Sequence, residues 1–308
     1  MINKKMPTAT AAFVYYIILN ILFLTLGAFT QSINLYFGIF VTEAVILGGL
    51  TFFTIKSRDY NLTNTLALGE KKRGTLVKSF FLSLLSYPVL VFLNAIVLML
   101  VTKFLPYPES LANAIPTPKG FFDLIISILF FAVLPGVFEE LAFRGFLFKA
   151  LDRFKPSTKI FLTALLFGLF HYNPFNFVGP FLMGLSFGYI RHRTNSIYPS
   201  MIAHATNNGI AIVLATIMGA TADINAELDP STLVLPQKAE IMVTVFSIAI
   251  LLLLAFGVYK LLRSYPDYRE KTTRVFEASS RDKMFMALAV ILSIIILAIN
   301  IVALSKMA

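Results

Sequence analysis

The sequence predicts an all-α fold, a polytopic transmembrane helical bundle of about 8–9 spans with its N-terminus in the cytoplasm. Three observations predict it. Apolar residues make up 57% of the 308-residue chain and charged residues only 14%, a balance that excludes an ordinary soluble domain and makes the bilayer the solvent. Runs of roughly 20 apolar residues recur, each long enough to cross the hydrocarbon core as a helix. Lys and Arg segregate between alternate loops by roughly five to one, the bias that sets membrane topology.

Taken in order, the apolar runs cover 9–30, 33–55, 79–102, 121–148, 159–172, 175–190, 197–218, 240–262 and 284–305, two of them short. The first follows Lys4 and Lys5 but is too long for a signal peptide and lacks a small-residue cleavage site, so it is a retained span. A cytoplasmic N-terminus puts Lys56, Arg58, Lys71, Lys72, Arg73 and Lys78 inside, followed by Lys149, Arg153, Lys155 and Lys159. Arg191, Arg193 and the basic stretch from Lys260 to Lys283 also fall inside. Lys103, Lys119, Lys238 and Lys306 fall outside with the acidic loop of Asp223, Glu227, Asp229 and Glu240, as does the C-terminus.

No repeat or flexible linker divides the chain, so residues 1–308 form a single membrane domain. Within it, 1–102 is an N-terminal three-span bundle, 120–215 the part that carries the polar residues, and 240–305 two C-terminal spans. The irregular stretch from Lys103 to Gly120, with Pro106, Pro108, Pro116 and Pro118, marks the first boundary. The absence of cysteine excludes a disulfide framework, a thiolate metal site and a Cys nucleophile. The net charge of +10 is accounted for by topology and anionic lipid rather than nucleic acid. The 31 Phe residues provide lipid-facing and packing bulk, and with no Trp the interfacial belt falls to Tyr15, Tyr16, Tyr87 and Tyr198.

Ionisable side chains inside spans cost several kcal/mol unless paired or hydrated, so they mark candidate sites. On the fourth run, Glu140 and Arg144 are four apart and about 40° apart around an α-helix, the spacing of an ion pair. Glu139 stands about 140° from Arg144 and is left free for chemistry. On the fifth, His171 precedes Asn173-Pro174, where the helix must stop. On the seventh, His204 and Asn208 share a face and can donate to one point. Counted at about 1.5 Å per residue, all three spans bring these residues to one depth. A carboxylate and an imidazole sharing a water are suited to deprotonating it, and a second His with Asn can donate to the oxyanion that follows.

At these residues the chain resembles the CPBP family, the type II CAAX prenyl endopeptidases and their bacterial relatives, also called glutamate intramembrane proteases. The family pattern EExxxR, FxxxH, HxxxN is matched by Glu139-Glu140…Arg144, Phe167…His171 and His204…Asn208, over roughly residues 120–215. The resemblance implies that Glu139 and His171 activate the water, His204 and Asn208 form the oxyanion hole, and Glu140 and Arg144 support the site. A Glu with two His could also form a catalytic zinc set. No HExxH helix is present, and the resemblance favours a mechanism without metal or other cofactor.

The expected activity is endoproteolysis within or beside the membrane, with a peptide or membrane-protein segment as substrate and the bilayer as the other partner. A prenylated CAAX tail is the substrate of the eukaryotic relatives. The composition looks bacterial, which points to a multi-pass protein of the bacterial cell membrane and makes a leader peptide or membrane segment equally admissible. Two rivals keep the same polar set: a non-catalytic regulator, immunity or scaffold protein, and a proton-coupled transporter, although no inverted repeat is evident. Other polar and small residues have structural readings. Gly184 and Gly188 are a helix-packing step, Pro135-Gly136 a kink beside Glu139, His192 a solvated loop residue, and Glu43 a lone acid available for an interhelical hydrogen bond.

Overall fold

The computed structural model describes residues 6–69, 71–105, 117–225, 237–268 and 278–305, with side chains described except at 220–225, 237–241 and 303–305. Lys4, Lys5, Pro106, Pro108, Pro116, Glu227, Asp229 and Lys306 therefore lie outside the described residues, as do the side chains of Asp223, Lys238 and Glu240. Among the described residues every regular element is a helix. The order is α1 (Ala9–Ile33), α2 (Leu35–Ser57), a short α3 (Leu62–Leu66), α4 (Arg73–Val101), α5 (Phe121–Ala150), α6 (Pro156–Leu169), α7 (Val178–Thr194), α8 (Tyr198–Asn225), α9 (Gln237–Arg263) and α10 (Ser280–Ser305). Seven of these, α1, α2, α4, α5, α8, α9 and α10, are long and apolar enough to cross a membrane. The two short expected runs are α6 and α7, at 14 and 17 residues.

Local chemistry sets the breaks. Thr8 opens α1 by accepting from the Ala11 amide, and Asn34 separates α1 from α2 by leaving the helix for an extended conformation and accepting from Phe37. Pro156 starts α6 at a position where a missing N–H costs nothing. The helix ends at Leu169, after which Tyr172 adopts a left-handed conformation and Pro174–Asn176 form a single 3₁₀ turn. The chain thus reverses between α6 and α7. Their close packing uses the expected glycines: a Cβ at Gly184 would stand 2.9 Å from Ala164 Cα, and one at Gly188 3.3 Å from Ile160 Cγ2.

Wider π-turns interrupt three helices, at Phe23–Gly27 in α1, Val41–Gly49 in α2, and Leu129–Val133 and Leu141–Leu147 in α5. Such turns frequently accompany functional sites. Between the last two, Pro135 sits in the first turn of the regular segment Leu134–Glu140. Gly136 beside it lets α5 lie directly on α8, because a Cβ there would meet Ala205 N at 2.8 Å and Ala205 Cα at 3.0 Å. This close approach is what brings the acids of α5 against the polar face of α8.

The core is aromatic. Phe143, Phe146 and Phe167 are sealed inside with Leu147, Leu166 and Tyr16. Tyr16 ties three helices together by donating to the Leu166 carbonyl at 3.1 Å while accepting from Ser293 at 3.0 Å. Tyr15 shares a 2.7 Å hydrogen bond with Thr51. Both tyrosines are therefore internal, not members of an interfacial belt: each buried phenol needs a polar partner, and both find one inside the bundle. His192 also departs from expectation. It belongs to the last turn of α7 and is half-buried rather than in a solvated loop.

The basic connections converge on one end of the bundle. Ile197 donates to the Ala67 carbonyl, Tyr268 to Arg193, and Lys78 to Ser264. At that end Asp152, in the turn between α5 and α6, binds both Lys149 and Lys159 at 2.8 Å. Burial alone would raise the Asp152 carboxyl, but Lys159 and Lys149 outweigh it and hold the group well below the usual carboxylate range. Its contribution to stability is complete above the unfolded value of about 3.9 and is lost as pH falls through the depressed folded value. Asp152→Asn leaves two nearly buried ammonium groups uncompensated, so a loss of about 2–4 kcal/mol at pH 7 is expected. Thermal unfolding in detergent should show the variant's deficit steady from pH 7 to about 5 and shrinking below about pH 4; a deficit independent of pH would contradict this account.

Candidate active site

The ion pair expected from sequence is formed. Glu140 Oε1 lies 2.9 Å from an Arg144 guanidinium nitrogen, and both side chains are fully buried. Four residues turn about 400° in an α-helix and about 330° in a π-turn, so the pair stays on one face in either geometry. The π-turn at Leu141–Leu147 matters more for Glu139. It begins after Glu139 and winds less per residue than an α-helix, so Arg144 stands nearer the side of Glu139 than the α-helical value of about 140°.

His204 links the two acids. Its Nδ1 lies 3.1 Å from Glu140 Oε1 and its Nε2 3.7 Å from Glu139 Oε2. An ionised, Arg-paired Glu140 only accepts, so Nδ1 of His204 is the donor. The ring is clamped by Phe187, stacked at 5.3 Å, and by Phe167, edge-on at 5.7 Å. The same two rings hold the Arg144 cation, at 4.2 Å from Phe167 and 5.4 Å from Phe187.

Phe167 also orients His171. Its carbonyl oxygen lies 2.8 Å from His171 Nδ1. A peptide carbonyl only accepts, so Nδ1 carries a proton and Nε2 of the neutral ring is the remaining acceptor. His171 and Glu139 are within electrostatic reach, but among the described residues no direct hydrogen bond joins them. Asn208 donates to the Phe131 carbonyl at 3.3 Å, in the π-turn of α5, and its second amide hydrogen remains to be given.

His171 and Asn208 lie in the wall of a cavity of about 510 Å³ between α4, α7 and α8. The wall is largely apolar, with Leu90, Val91, Leu98 and Met183, and is punctuated by the carboxamides of Asn94, Asn176 and Asn207. Sequence reasoning missed Asn94 and Asn207; the available signal was a polar side chain within an apolar run. It also missed Phe187, which no motif marks. Among the described residues no three His, Cys, Asp or Glu side chains converge as a metal-holding group.

Comparison with known proteins adds one finding. Residues 121–210, which carry all six polar residues, match the profile described as Rce1-like, type II CAAX prenyl endopeptidase. No curated protein and no solved structure matches the chain. The members of the matched family are proteases of the membrane, and the helices, their lengths and the polar set fit that setting. Over residues 121–210, under a third of its length, the chain is similar to the Rce1-like family of type II CAAX prenyl endopeptidases.

Proposed function

We propose that the protein is an intramembrane endopeptidase in which Glu139 and His171 activate a water and His204 and Asn208 stabilise the oxyanion. The observation that carries this reading is the His204 ring, set between Glu140 and Glu139, while His171 and Asn208 face one cavity. Water bonded to Glu139 and to His171 Nε2 gives up a proton as its oxygen attacks the peptide carbonyl. The new C–O bond shifts charge to the carbonyl oxygen, which accepts from His204 and from the free amide hydrogen of Asn208. Collapse breaks the C–N bond and returns the proton to the leaving amine.

One detail of His204 sharpens the role. Its Nδ1 proton is committed to Glu140, so Nε2 can donate to an oxyanion only from an imidazolium. Glu140, paired with Arg144, fixes the position of the ring without touching substrate.

The substrate is an extended peptide, with the apolar cavity taking an isoprenoid or bulky aliphatic side chain and the basic end of the bundle facing the cytoplasm. The site of action would be a bacterial cell membrane. Purified protein in liposomes, incubated with a peptide ending in farnesyl-Cys and three further residues and with a panel of unmodified membrane peptides, should release a shortened product detectable by mass spectrometry. Failure to cleave any of them would remove the enzymatic reading.

A further inference from the structure

Asn207 of α8 precedes Asn208 in the chain, at a position that the spacing His204…Asn208 leaves open. It lines the same cavity as His171 and Asn208 and is buried, at 7% exposure. Its Oδ1 is sealed without a hydrogen-bond partner, and among the described residues its carboxamide makes no hydrogen bond at all. Two other carboxamides of the same wall are committed. Asn94 braces α4 against the chain entering α7, donating to the Phe175 carbonyl at 3.5 Å and accepting from the Gly179 amide at 3.4 Å. Asn208 gives one hydrogen to Phe131.

A buried carboxamide without a partner costs free energy that an apolar side chain of the same shape would not. Polar residues that join membrane helices do so by bonding across them, and Asn207 bonds to no neighbour. What remains is a partner that enters the cavity. A carboxamide both donates and accepts, and a half-turn about its last bond exchanges oxygen and nitrogen, so either end can be presented. An extended peptide supplies the match, because the N–H and C=O of one residue project from the same edge, as they do in a strand pair. Neighbouring Cα atoms of α8 are about 3.8 Å apart and an extended chain advances about 3.3 Å per residue. With Asn208 at the scissile carbonyl, Asn207 therefore falls opposite a residue flanking it.

We propose that Asn207 is a substrate-positioning residue, whose carboxamide binds the backbone N–H and C=O of the peptide residue flanking the scissile bond. The inference rests on the proposed oxyanion role of Asn208 and deepens that reading. Asn207 makes and breaks no covalent bond. It holds the peptide extended along α8, with apolar side chains left to the apolar wall and the scissile carbonyl brought to the hole. Because the contact is the same before and during reaction, its loss should raise KM and leave kcat nearly unchanged.

Replacing single backbone N–H groups of the peptide by ester oxygen tests the contact. The probes are a fluorescent peptide ending in farnesyl-Cys and three further residues, and an unmodified membrane peptide. Each is bound in detergent to the full chain carrying Glu139→Gln, which prevents turnover, with and without Asn207→Leu. One ester flanking the scissile bond should weaken binding about tenfold, and Asn207→Leu should weaken the parent peptide about tenfold. Combined, they should weaken binding no further than either alone. Esters that act equally on both proteins, or no binding of either peptide, would overturn the proposal. The unfolding midpoint of Asn207→Leu without peptide should hold or rise, since an unpartnered amide is removed; a fall would make Asn207 a residue of the fold. Asn207→Ala carries the same binding comparison if the leucine variant does not fold. With Glu139 restored, Asn207→Leu should raise KM about tenfold at nearly constant kcat. Coupled binding without cleavage would leave the Asn207 contact standing and remove the proteolytic reading, whereas cleavage without coupling would do the reverse.

Discussion

Glu139→Gln is expected to reduce peptide cleavage by about 10²–10⁴-fold, the range for removing a positioned general base, while the protein remains folded. The substitution preserves volume and removes the capacity to take a proton. Its structural cost is small because Glu139 makes no committed ion pair: its Oε2 has no hydrogen-bond partner, and His204 Nε2 is 3.7 Å away. A carboxamide there loses only a long electrostatic contact, so thermal unfolding should shift by no more than is caused by about 1 kcal/mol. KM for a cleavable peptide should change little, since Glu139 is absent from the cavity wall where side chains of a substrate would rest. A variant that cleaves at the wild-type rate would remove Glu139 from the chemistry. One that unfolds would mean that the carboxylate is structural.

The fold was largely legible because the bilayer imposes one rule, an apolar run long enough to cross, and the runs announce themselves. The Glu140–Arg144 pair and the Gly184–Gly188 packing step were legible for a similar reason, since each depends only on helical spacing. The π-turns were not. A wider turn at Leu141–Leu147 has no local composition of its own and is held by packing of α5 against its neighbours. It narrows the turn between Glu139 and Arg144 that a strictly α-helical count puts at about 140°, yet among the described residues Arg144 pairs with Glu140 and not with Glu139, as that count expected. Burial of Tyr15 and Tyr16 was equally hidden. A span apolar on every side does not reveal which face meets protein and which meets lipid.

Moving the same Glu-to-Gln change one residue along should have the opposite consequence. Glu140→Gln and Arg144→Met are each expected to destabilise the protein by about 3–5 kcal/mol, since each strands a buried charge whose partner is gone. Arg144 is fully buried; besides Glu140 it lies over the faces of Phe167 and Phe187, which attract a cation but cannot neutralise it, and it has Glu139 within electrostatic reach but not in an ion pair. Glu140→Gln also loosens His204, whose Nδ1 loses an ionised acceptor. The double variant Glu140→Gln/Arg144→Met removes both charges and should be more stable than the sum of the single losses by about 2 kcal/mol or more. Arg144→Lys should not rescue, because an ammonium lacks the planar group that lies over the Phe167 ring. Unfolding curves of the four proteins in one detergent measure the coupling. Additive losses would show that the pair is not the support of the site. Recovered stability in the double variant without recovered cleavage is the expected pattern, because the fold needs the charges balanced whereas His204 needs the carboxylate itself.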